Sequence, residues 1–170
     1  MRKKIPILLP LCVLCLLLVW YLWPRSFSDT LPAFSKDAPV THCAVLLTPS
    51  DPSSGLSTKQ IELAADSQTY QQLTERLTST RYLRNPGDLV RLGQASSTQS
   101  ITLEDYTATL SFYQGESIFS MAFYGSQVAT QGGSDTRSYF PLAGQDFQTE
   151  VIQFLQDCPD ATDVSSASGS

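Results

Sequence analysis

"DYTATLSFYQGESIFSMAFYG", residues 105–125, decides the fold of this chain. Side chains alternate between the two faces of a strand, so Tyr106, Ala108, Leu110 and Phe112 share one face and Thr107, Thr109, Ser111 and Tyr113 the other. Gln114-Gly115-Glu116 reads as a turn, after which Phe119, Met121 and Phe123 return on a single side. One face is apolar and the other carries hydroxyls. That is the pattern of an antiparallel sheet covered on one side.

Downstream, "QVAT" (127–130), the glycine pair Gly132-Gly133 and "TRSYFPL" (136–142) form a second hairpin. From about Asp146 to Asp157 the period changes to that of a helix, with Phe147, Val151, Phe154, Leu155 and Cys158 on one stripe. Upstream, "VTHCAVLLT" (40–48) holds a short continuous apolar run suited to a buried strand. A second strand is expected at Thr58–Ala64, where Ile61 and Leu63 alternate with Gln60 and Glu62. Asp66 or Ser67 is placed to cap a helix whose stripe is Tyr70, Leu73 and Leu77, and which ends before Pro86-Gly87. The expected fold is α+β: an antiparallel β-meander of about five to six strands with two helices packed on one face, spanning residues 41–158.

Outside that domain the composition changes. Arg2, Lys3 and Lys4 precede nineteen residues without a charge, Ile5–Trp23. A basic cap before an apolar run orients a spanning helix with its amino end in the cytoplasm, or begins a secretory signal. Nineteen helical residues reach about 28 Å, close to the hydrocarbon thickness, and Trp20, Tyr21 and Trp23 suit the outer interface. The reading is a cytoplasmic cap at 1–4, a transmembrane signal anchor at 5–23, and a proline-punctuated extended linker at 24–40. A disordered tail of small polar residues closes the chain at 159–170. The rival is cleavage after Ser28, where Ser26 and Ser28 are small, which would release a secreted protein.

Charge and cysteines restrict the chemistry. Residues 41–158 carry six basic and twelve acidic side chains, a balance opposed to nucleic-acid binding. The sole histidine, His42, adjoins Cys43, but neighbours in a strand point apart, so they make a poor dyad. Cys43 and Cys158 both fall on core-facing positions and are expected to form a disulfide joining the first strand to the last helix. In the chain-entropy model that bridge contributes about 4 to 5 kcal/mol; the alternative is two buried free thiols. Cys12 and Cys15 lie among Leu and Val, where a reactive thiolate is disfavoured.

The chain has no G-x-S-x-G elbow, nucleotide-binding glycine motif or close metal-ligand spacing, so no catalytic, metal or small-molecule cofactor site is expected. Arg76, Arg81, Arg84 and Arg91 are four of the domain's six basic residues within sixteen positions. They form a candidate patch for an anionic partner, against the plainer reading of solvated arginines pairing with Glu75 and Asp88.

The helix pattern Asp66, Tyr70, Leu73, Leu77, the strand Tyr139–Leu142 and the closing helix Asp146–Leu155 together resemble small signal-anchored extracytoplasmic proteins of Gram-positive bacteria, in families of unknown function. The resemblance covers roughly residues 58–157, implies location and fold, and brings no catalytic residues. The expected function is a membrane-anchored binding, accessory or sensory module without catalysis. Its partners are the membrane, through residues 5–23, and a protein or envelope component. A secreted inhibitor and a cell-envelope hydrolase are the alternatives.

Overall fold

A computed structural model describes residues 5–31, 38–87, 105–124, 126–132 and 135–164. Helix α1 spans Ile5–Tyr21 and a single turn, α2, spans Phe27–Thr30. Strands β1 (His42–Pro49) and β2 (Thr58–Ala64) precede helix α3 (Gln68–Ser79) and the short strand β3 (Tyr82–Arg84). Then come β4 (Tyr106–Gln114), β5 (Ser117–Tyr124), β6 (Gln127–Gly132), β7 (Asp135–Pro141), helix α4 (Gln145–Gln156) and β8 (Thr162–Val164).

The fold is α+β, with one antiparallel sheet in the order β3-β7-β6-β5-β4-β1-β2-β8. Strands β4 to β7 are the expected meander, and β1 lies between β4 and β2. Among the described residues the sheet has eight strands instead of five to six. Both additions, β3 and β8, are three residues long, too short for alternation to register in the sequence, and they exist because a longer neighbour offers its edge.

Strand β4 alternates strictly between buried and half-buried positions, as its sequence requires. Its buried set lies under the helices. Register places Leu110 beside Val45 and Met121, and Phe112 beside Cys43 and Phe119. These side chains join Leu73 and Leu77 of α3 and Phe147, Val151 and Leu155 of α4 in one core cluster. Ser67 caps α3 by accepting the Tyr70 N–H at 3.1 Å. At the head of α4, Gly144 has φ 77°, a conformation that favours glycine over any residue with a Cβ.

Three expectations need correction. Residues 24–40 do not form a uniform extended linker. Arg25 exchanges two backbone hydrogen bonds with Tyr82, at 2.8 and 3.0 Å, so the chain runs along the outer edge of β3. Phe27 then meets Phe112 edge-on with ring centroids 5.5 Å apart, and Thr30 accepts the Thr130 hydroxyl at its carbonyl at 2.8 Å. A bare phenylalanine in a spacer leaves apolar surface in water; burying it in the core removes that cost. Residues 32–37 of this stretch lie outside the described ones.

The tail is not wholly without structure, because Thr162–Val164 pairs with β2 as β8. Residues 165–170 lie outside the described ones. The third correction is the disulfide: Cys43 and Cys158 are both free thiols, buried in the shared core cluster. Each packs as a small apolar side chain. Burial pushes the Cys43 thiol up to about 12, with the charge of Glu62 adding to the effect. The thiolate that forms and exchanges disulfides is therefore scarce at neutral pH.

Among the described residues no helix is long and apolar enough to cross a membrane. Helix α1, at seventeen residues, ends two short of the apolar run and measures about 26 Å.

Candidate functional site: the open sheet face and the helix junction

The buried contacts of α2, α3 and α4 go to one face of the sheet, and the other face is built from what alternation leaves. Register sets Glu62, Ala44, Ser111, Ser120 and Gln131 in one row across five strands. The Ser111 and Ser120 hydroxyls are 3.4 Å apart. The adjoining row runs Gln60, Leu46, Thr109, Ala122 and Ala129. Leu46, Ile118 and Tyr124 stand exposed on this side. A broad floor of short polar side chains with apolar points is suited to contact with a large partner.

His42 belongs to this face and Cys43 to the opposite one, as strand geometry requires. The imidazole lies flat on Tyr113, with ring centroids 4.0 Å apart and an interplanar angle of 13°. Its Nδ1 sits 3.2 Å from the Thr41 hydroxyl, which donates to the Tyr113 carbonyl at 3.1 Å. The Thr41 hydroxyl thus lies between the imidazole and a strand carbonyl and orients the ring. Glu62 is engaged by Gln60 Nε2 at 2.9 Å. Asp51 accepts from the hydroxyl and backbone N–H of Ser53, which hold its carboxyl below the usual range, and it serves the β1–β2 turn. Among the described residues no three metal-ligating side chains gather.

Of the four arginines, the three that are described have different surroundings. Arg76, on α3, lies 4.4 Å above the Phe154 ring of α4 and joins the two helices. Arg81 is exposed just before β3. Arg84, in β3, lies 4.7 Å above the Tyr21 ring. Arg91 lies outside the described residues.

A different basic site is present where α1 meets the domain. Tyr21 is buried and donates its hydroxyl proton to the Asn85 carbonyl at 3.2 Å. Arg25 holds its guanidinium 5.6 Å from the Trp20 ring centroid. Arg25 and Arg84 thus flank the end of α1 from the two paired backbones. Sequence reasoning missed Arg25 because it counted the residue as linker, although aromatic rings followed closely by an arginine are a signal for such a collar.

No family model, no curated protein and no solved structure matches this chain.

Proposed function

We propose that the chain is a membrane-anchored extracytoplasmic module that binds a protein or envelope component and performs no catalysis of its own. The observation carrying this reading is α1. Leu11, Val13, Leu14, Leu16, Leu17, Leu18, Val19 and Trp20 are all exposed, so the helix is apolar on every side and the domain covers none of these residues. A helix apolar all round belongs in a protein core or in lipid, and among the described residues no core encloses this one. Leu22 and Trp23 extend the apolar run past the last helical turn. A few ångströms of mismatch are absorbed by local bilayer thinning and by snorkelling of flanking basic side chains. Arg2, Lys3 and Lys4 favour a cytoplasmic amino end.

The secreted alternative fares worse against the packing. Cleavage after Ser28 would remove Phe27 from its place against Phe112 and Arg25 from its pairing with Tyr82. The open sheet face supplies the surface for binding. Carbonate washing of membranes, followed by mass analysis of the retained chain, tests the anchor. The chain retained with the lipid should still contain residues 5–28; a soluble chain beginning at Asp29 would refute the reading.

A further inference from the structure

From the junction of α1 with β3 we infer that the domain docks on the outer leaflet through its β3 edge, with Arg25 and Arg84 gripping phospholipid headgroups. This rests on the anchoring proposed above. A spacer of seventeen extended residues could hold the domain about 50 Å from the bilayer, but such a spacer does not separate α1 from the sheet. The last residue of α1, Tyr21, already bonds to Asn85 and lies under Arg84. Four residues later Arg25 is paired to β3 through its backbone.

Once Tyr21 sits at the hydrocarbon boundary, that geometry leaves the end of β3 little freedom. The headgroup layer is about 5 to 8 Å deep on each side. Arg84, Asn85 and Arg25 touch residues of that boundary and therefore lie within the layer. The side chains there suit it. Trp20 and Trp23, each 64% exposed, match the interfacial preference of indole. A guanidinium binds phosphate through two parallel N–H bonds.

The partner is selected by charge complementarity as well as position. The chain carries a net charge of −5 and is repelled as a whole by an anionic leaflet. Two arginines at the helix exit turn one edge of this acidic chain toward the headgroups. The open sheet face then stands at a fixed angle to the membrane, available to a partner approaching from outside.

The test uses the full chain in phosphatidylcholine vesicles, with and without phosphatidylglycerol, containing a trace phospholipid with a photoreactive headgroup. Labelled peptides are located by mass spectrometry. Docking predicts label on residues 81–87 as well as on 20–25, rising with the phosphatidylglycerol content and falling with salt. In R25Q/R84Q the label on 81–87 should drop about fivefold or more, since each basic side chain near an anionic surface changes partitioning by about that factor. Carbonate retention should be unchanged. Label confined to 20–25 in the wild-type chain overturns the docking and leaves the anchor standing. Loss of the protein to the carbonate wash overturns both.

Discussion

Phe112 and Tyr113 are neighbours in the same central strand and meet opposite fates. Phe112 is 1% exposed, packed between Cys43 and Phe119 and touched by Phe27. Tyr113 is half-buried on the open side, its ring stacked on that of His42. The two faces divide the demands on the chain. One satisfies the hydrophobic effect, while the other, under weaker packing constraint, carries the hydroxyls, amides and isolated apolar groups available for contact.

Substitution at the two neighbours should expose the division most clearly. Phe112→Ala removes a large side chain from a closed core and is expected to cost about 3 to 5 kcal/mol in urea denaturation. Tyr113→Ala should cost about 1 kcal/mol, with circular dichroism checking that both variants keep the sheet. Equal losses would abolish the distinction between the faces. Phe27→Ala extends the test to the segment before the domain. It is more shallowly buried, at 7% exposure, and about 3 kcal/mol is expected; a loss near zero would return residues 24–31 to the status of a spacer.

Legibility in the sequence follows the same boundary. The strands β4 and β5 and the stripes of α3 and α4 are readable because burial imposes a period, and a period survives in the order of residues. Arg25 and Tyr82 pair through backbone atoms, which leave no mark on side-chain pattern. Phe27 and Leu31 are isolated apolar residues among polar neighbours and prolines, too few points to define a period. The core positions of Cys43 and Cys158 were legible for the same reason, but burial alone does not bring two sulfur atoms into bonding geometry. The arginine cluster was visible only as proximity in sequence. The fold sends Arg76 to the helix layer and Arg84 to the edge, where Arg25 joins it.

The covered face should also respond to alkali. Cys43 is held protonated by burial up to about 12, against 9.0 for an unburied thiol. Tyr82 and Tyr70 are also raised by burial. For each, the folded value exceeds the unfolded one, so the neutral form stabilises the fold fully below the unfolded value. That contribution declines as pH rises toward the folded value. Between pH 9 and 12 stability should fall, by about 1.4 kcal/mol per pH unit from Cys43 alone at the steepest. Cys43→Ala should flatten the decline; an unchanged slope would assign it wholly to the tyrosines.

The smallest effect concerns the open face itself. Ser111 and Ser120 face each other across β4 and β5, each half-buried, with hydroxyls 3.4 Å apart. A hydroxyl pair bordered by solvent exchanges a weak internal contact for water at little net cost, so S111A/S120A should shift stability by about 0.5 kcal/mol or less. If this face is the binding surface, the same change should be visible elsewhere. In a pull-down with the intact, membrane-anchored chain, S111A/S120A should weaken capture of a specific partner while leaving fold and anchoring unchanged. A loss of stability comparable to Phe112→Ala would mean that the hydroxyl row serves the core after all, and the open face would lose its claim to be free for function.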